Sequence, residues 1–278
     1  MCGTVILLTG KGGFRVSGRY YFQGTPSRSI DYQTESMIVT SHPQGWEIVF
    51  QHSHGLLAAQ IGFHWQQSQR PARWLETLVA IAEHDDAQED FTGNNYITEA
   101  GAPKNFKMDA ISLTQPRNIT DYSYRKSRWV GLMDSMHVSF IYEPKRGMDK
   151  AMDKLLDEQR EKQKQTLKGL KTSAKEAQYA YELVEWCDAF SLLLCQNLIQ
   201  PEERKMDISH GPDGTMHRVW QRQADETLAV EPWCFESHEF EVTLESRLVR
   251  QLEFKDDFEL EKALKAAEIT EKTWKFRK

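Results

Sequence analysis

No stretch of this sequence is apolar for long enough to cross a bilayer. The longest aliphatic run near its start is Val5 to Leu8, far below the roughly 20 residues of a spanning helix and too short for the apolar part of a secretory signal. Cysteine is scarce as well. The four that occur, Cys2, Cys187, Cys195 and Cys234, form no CxxC pair. Cys187 and Cys195 fall inside an apolar helical pattern, so packed, reduced thiols are expected in place of a disulfide frame or zinc ribbon. There is no basic excess: 35 Lys and Arg stand against 41 Asp and Glu, a formal net charge of -6. Neither nucleic acid nor a membrane is therefore expected as a partner, and the chain reads as soluble and cytoplasmic. A phosphate-binding loop is also missing, because TGKGGF at 9–14 has neither the spacing nor the Ser/Thr of one.

What is present suits one large or two modest globular domains: 278 residues, 40% hydrophobic and 27% charged. Residues 1–36 are rich in Gly, Ser and Tyr without helical or strand period. They read as an N-terminal extension, Met37 being a candidate start, and their deletion is expected to leave the melting transition intact. Residues 37–204 read as a helical metal-binding core, and 205–278 as a β-rich C-terminal segment packed on it.

Met37 to Thr40 and Trp46 to Phe50 flank a His-Pro-Gln-Gly turn, which predicts a hairpin. From Gln51 the period becomes helical, with His54, Leu57, Ala58, Ile61 and Trp65 on one face. A second helix is predicted from Arg73 to Asp85, a third from Trp129 to Tyr142 and a fourth core helix from Ala174 to Gln200. Residues 86–128 show no sustained period, which suggests a functional loop such as a lid. The dense mixture of charges from Met148 to Lys171 reads as a solvated helix. Four short β patterns then run at His217 to Arg222, Thr227 to Glu231, Glu239 to Glu245 and Leu248 to Phe254, followed by a helix from Asp257 to Ala267 and an extended end at Thr273 to Phe276. The expected fold is mainly α, a helical bundle with a small antiparallel sheet made by the N-terminal hairpin and the C-terminal segment.

Each predicted core helix carries an ionisable group where its apolar stripe should continue: His54, His84 with Asp85, His137, and Asp188. One such intrusion is ordinary, since a lone His on an apolar stripe is usually a hydrogen-bonded core residue. Buried carboxylates are costlier, so Asp85 and Asp188 each need a charge partner, several donors or a metal. Imidazole and carboxylate on facing helices form a natural shell for Zn, Mn, Fe or Mg. His52 lies two residues from His54 and projects elsewhere on a helix, while His64 reads as core packing beside Trp65. His42, His210, His217 and His238 have no matching partners and attract no assignment.

The order His, His-Asp, then a distant Asp resembles the HD metal-dependent phosphohydrolase superfamily. MIVTSHPQGWEIVFQHSHGLLAAQIGFHW (37–65), AIAEHDDA (80–87), GAPKNF (101–106), LMDSMHVSFIY (132–142) and EWCDAFSLLLC (185–195) are together similar to an uncharacterised bacterial family of HD-domain-like proteins, domain of unknown function 3891. The resemblance runs over roughly 37–277 and implies an HD-like bundle. It also implies that His54, His84, Asp85 and Asp188 ligate a metal and that His137 serves a second metal or substrate phosphate. Two departures stand out: Asp86-Ala87-Gln88 replaces a Gly-Trp expected after the HD pair, and no Lys follows that pair before Lys104.

The leading expectation is a hydrolase of a small phosphorylated or nucleotide-like substrate. A divalent metal would activate water, Asp85 would orient it, His137 would donate a proton, and Glu83 or Asp86 would assist as base. Two alternatives are a di-iron oxygenase, for which the chain looks short of imidazoles unless His52 or His64 joins, and a non-catalytic metal-stabilised ligand-sensing module. Oligomeric state is not legible.

Overall fold

The computed structural model describes residues 37–85, 95–108 and 113–278. The extension at 1–36, with its glycine-rich loop, and Asp86 fall outside them. Strands β1 (Met37–His42) and β2 (Gly45–Phe50) form the expected hairpin, His42 pairing with Gly45 across a two-residue turn. Gly45 has φ +142°, and a Cβ there would lie 2.1 Å from the Val249 carbonyl oxygen, so only glycine lets the turn meet the neighbouring strand.

Helix α1 (Gln51–Phe63) follows β2 without a linker, and α2 (Trp74–Glu83) comes next. After α2 come α3 (Thr114–Lys126), α4 (Arg128–Tyr142), α5 (Lys150–Leu170) and α6 (Ala174–Cys195). Sharp boundaries have local causes. Ser127 caps α4 at the Trp129 amide, and Ser173 with Glu176 forms a complete capping box on α6. The charged α5 is anchored by buried Met152, Leu155 and Leu156. Strands β3 (Met206–His210), β4 (Met216–Gln221), β5 (Leu228–Glu231) and β6 (Glu239–Val249), helix α7 (Asp257–Ala266) and strand β7 (Glu268–Arg277) complete the described chain.

All seven strands join one sheet in the order β1-β2-β6-β7-β5-β4-β3, every pairing antiparallel except β5 with β7. The expectation of a mainly α, HD-like helical bundle with a small antiparallel sheet is therefore corrected: seven helices accompany a large mixed sheet among the described residues. The physical reason lies in β6 and β7, which pair continuously from Glu239↔Arg277 to Leu248↔Glu268. Several of their positions are filled by polar groups with partners inside the protein. The Ser246 hydroxyl meets Glu47 at 3.0 Å and Thr270 at 2.8 Å, and Lys272 pairs with Glu47 at 2.6 Å. Satisfied in this way, Ser246 interrupts the inward apolar row of Phe240, Val242, Leu244 and Leu248 in β6, and β7 pairs along its length while only Phe276 of its side chains is buried.

Helix α1 packs on β6 and α6 packs on β3, while α2 and α4 pack on each other and on α6. An aromatic cluster fills the space beneath α6: Trp65 meets Trp186 edge-on at 5.0 Å, Phe190 meets Phe276 at 5.6 Å, and Phe240 stacks on Phe276 at 4.7 Å. The junction of α1, α2, α4 and α6 is where the ionisable groups collect.

Candidate metal centre

His54 lies on the buried face of α1 with Leu57, Ala58 and Ile61. His84 ends α2, Asp85 follows it, His137 lies in α4 and Asp188 in α6. Five residues spread over 135 positions of chain meet because these helices converge. His54 Nε2 is 3.3 Å from His84 Nε2 and 3.0 Å from Asp188 Oδ1. His84 Nε2 is also 3.3 Å from Asp188 Oδ1 and 3.4 Å from Asp85 Oδ2. His137 stands a step back, its Nε2 3.9 Å from Asp188 Oδ2 and its ring edge-on to His84 at 5.0 Å.

The far nitrogens of the two central imidazoles are already committed. A carbonyl oxygen only accepts, so the contact of 2.9 Å between His84 Nδ1 and the Ile81 carbonyl puts a proton on Nδ1. The Ser191 hydroxyl donates to the Asp188 carbonyl at 2.9 Å and so accepts from His54 Nδ1, also at 2.9 Å. Were both rings neutral, the His54 Nε2 lone pair would face Asp188 and the His84 Nε2 lone pair would face both Asp188 and Asp85, with no donor between these acceptors.

Positive charge is the remedy. Among the described residues the ion pairs of Asp85 and Asp188 involve only histidines, with no Lys or Arg. Burial acts to lower the His84 pKa, but the Asp85 and Asp188 carboxylates outweigh it and raise it to about 10. Burial acts to raise the Asp188 pKa, yet His84 and His54 hold it well below the usual carboxylate range. One proton on His84 can serve only one of three acceptors at 3.3–3.4 Å. Ligands at about 2.1 Å from a metal lie roughly 3.0 Å apart on an octahedral edge and roughly 3.4 Å on a tetrahedral one, so these spacings fit a metal shell. The donor set of two imidazoles and two carboxylates suits Zn, Mn, Fe or Mg.

Solvent reaches the cluster from the carboxylate side. His54 and His84 side chains are fully buried, while Asp85 and Asp188 are 22% and 16% exposed. The His137 pKa is lowered by burial and by His84, which keeps its ring neutral. The Tyr181 hydroxyl lies 3.4 Å from His137 Nδ1 and, with its pKa raised by burial, keeps its proton. Phe140 is 54% exposed and stacks 6.5 Å from His137.

Sequence reasoning missed the supports of this cluster. Ser191 sits three residues after Asp188, one turn along the same face of α6, a spacing that could have exposed it. A Cβ on Gly55 would lie 2.2 Å from the Ala82 carbonyl oxygen, so the glycine beside His54 permits α1 to press on the last turn of α2. Asp134, one turn before His137, is fully buried, and neither of its oxygens has a hydrogen-bond partner. Nearby Ser123 donates to the Ile119 carbonyl at 2.9 Å, and burial pushes the Asp134 carboxyl up to about 8.

Other expectations resolve simply. His64 stacks on Phe240 at 3.9 Å and His52 is exposed, so neither joins the ligands. Glu83 is paired with Lys126. Cys187, Cys195 and Cys234 are free and buried. Part of the stretch expected to be structureless is ordered: α3 occupies its end, and Asp257 holds the Tyr96 amide at 2.8 Å. No helix among the described residues is long and apolar enough to cross a membrane.

No curated protein and no solved structure matches the chain. Residues 37–251, which carry both hairpin strands and all five residues of the cluster, match one family along their whole length. The chain belongs to the family described as "Protein of unknown function (DUF3891)".

Proposed function

We propose that this protein is a metal-dependent hydrolase of a small phosphorylated or nucleotide-like substrate, akin to the HD phosphohydrolases, with His54, His84, Asp85 and Asp188 as ligands of one divalent ion. The observation that carries this reading is that His54, His84 and Asp188 lie 3.0–3.3 Å from one another, with Asp85 3.4 Å from His84, both rings oriented from behind by Ser191 and Ile81. The order of these residues along the chain supports the kinship. A divalent ion bound there supplies Lewis-acid polarisation and activation of water near neutral pH.

The chain's own residues have distinct tasks. Asp85, the more exposed carboxylate, orients the attacking water with the oxygen it does not give to the cluster. The Tyr181 hydroxyl donates to His137 Nδ1, leaving an Nε2–H that faces the cluster and donates a hydrogen bond to the charge developing on the leaving oxygen. Exposed Phe140 gives the substrate an apolar wall beside that proton. With no Lys or Arg paired to Asp85 or Asp188 among the described residues, substrate charge is met by the ion and His137.

The test is turnover of p-nitrophenyl phosphate, bis(p-nitrophenyl) phosphate and a nucleotide panel by protein loaded with Mn, Zn or Mg. Asp188→Asn should lose metal and activity together. His137→Gln should keep metal while kcat falls about 100-fold or more, as for loss of one hydrogen-bond donor to transition-state charge. Metal-replete protein inert on the whole panel would overturn the hydrolytic reading. Two equivalents of iron with oxygen uptake would replace it with oxygenase chemistry.

A further inference from the structure

Apart from the metal centre, the helices frame a second concave site. The chain between α1 and α2 turns through Ser68 to Arg73, and with the first turns of α4 and α6 it encloses a cavity of about 380 Å³. That volume falls within the range of small-molecule sites. Trp129, Tyr179, Pro71 and Ala72 give it apolar walls, and Arg70, Arg73 and Lys175 give it charge.

The two arginines are held in place by the protein itself. Arg70 donates from Nε to the Trp65 carbonyl at 2.9 Å and from a terminal nitrogen to the Phe63 carbonyl at 3.0 Å, and lies 4.7 Å over the Trp74 ring. Two carbonyls neutralise no charge. Arg73 pairs with Glu76 at 2.8 Å and lies 5.6 Å from the Trp129 ring. Arg70 and Lys175 have no carboxylate partner among the described residues, whereas Glu176 is engaged by the Ser173 amide and hydroxyl at 2.8 Å each. Three cations, Arg70, Arg73 and Lys175, therefore line the cavity against the single carboxylate of Glu176, a local positive excess in a chain whose net charge is -6.

Backbone dipoles add to that field. The cavity residues Arg73, Trp129 and Lys175 lie at the N-terminal ends of α2, α4 and α6 respectively, and α2 has no side-chain cap. Three positive helix ends and three cationic side chains share one hollow with aromatic walls.

We propose that this cavity binds a small aromatic oxyanion, its carboxylate or phosphoryl head against Arg70 and Lys175 and its ring against Trp129 and Tyr179. The site is distinct from the metal centre. The path from Trp129 to His137, from Tyr179 to Asp188 or from Arg73 to His84 is about 12 to 17 Å along the helix axes.

Calorimetric titration of the metal-loaded full chain with phenylphosphonate and with benzoate tests it, since neither can be hydrolysed. At least one of them should bind saturably at one site, with inorganic phosphate tenfold weaker or more and benzyl alcohol giving no heat. Lys175→Glu, at an exposed residue, should weaken binding at least tenfold without moving the melting midpoint, and His84→Ala should leave binding unchanged. Absence of saturable binding, indifference to Lys175→Glu, or loss in His84→Ala would overturn the proposal. The last outcome would place the anion at the metal centre.

Discussion

Gly55→Ala puts the geometry of the centre to a severe test because it adds one methyl group and alters no ligand side chain. The new Cβ would stand 2.2 Å from the Ala82 carbonyl oxygen. Ordinary contact needs more than 3 Å, so α1 and α2 must separate by roughly 1 Å, an overpacking that costs about 1–3 kcal/mol. For a domain of this size that corresponds to a fall in melting temperature of roughly 3–10 °C. His54 Nε2 and His84 Nε2, now 3.3 Å apart, ride on those two helices. Metal sites tolerate displacements of only about 0.2 Å, so affinity should fall at least about tenfold. Chelator competition with Zn or Mn, alongside thermal melts, reads both effects. Gly62→Ala is the control: its Cβ would meet the Ile81 Cδ1 at 3.1 Å and the Cys187 Sγ at 3.2 Å, side-chain atoms that can yield. It should keep the metal. Wild-type metal affinity in Gly55→Ala would refute the claim that contact between α1 and α2 sets the ligand spacing.

Ser191→Ala removes the group that fixes the His54 tautomer and should weaken metal binding about 10–100-fold, measured by the same competition. Metal uptake should release a proton: His84, raised to about 10, is protonated at neutral pH without metal, so affinity should climb about tenfold per pH unit from 7 to 9. Calorimetry in buffers of different ionisation heat counts that proton, and pH-independent affinity would contradict it. Asp134 has a folded pKa of about 8 against 3.8 for an ordinary aspartate, so the folded state binds the proton more tightly and stability falls as pH rises from 4 to 8. In chelator-treated protein Asp134→Asn should therefore gain on wild type across that window, by as much as about 5 kcal/mol at its top. Denaturant titrations at pH 5 and 8.5 would show a constant difference if the carboxyl carried no such penalty.

The helices that hold the centre were legible because buried residues such as Leu57, Ala58 and Ile61 of α1 recur at helical spacing. His54, His84 and Asp188 stood out as interruptions in that pattern, and those residues do meet. Helix α3 was hidden for the opposite reason. Its buried face includes Thr120 and Ser123, whose hydroxyls bond back to the Pro116 and Ile119 carbonyls, so it packs without an apolar period. Strand β6 was split in two at Glu245-Ser246-Arg247 because Ser246 is a buried hydroxyl whose partners, Glu47 and Thr270, lie 199 and 24 residues away. Gly55 and Ile81 act through backbone, one by lacking a side chain and one by its carbonyl. Neither leaves a mark in residue chemistry.

The claim on which everything else depends is that His54, His84, Asp85 and Asp188 bind a metal. Elemental analysis of the purified chain, before and after chelation and paired with thermal melts, tests it most directly. Wild type should carry one equivalent of divalent metal, lose melting temperature when stripped and regain it on reloading, while Asp188→Ala and His84→Ala should purify without metal. A metal-free wild type whose melting temperature responds to neither chelator nor added ion would contradict the account.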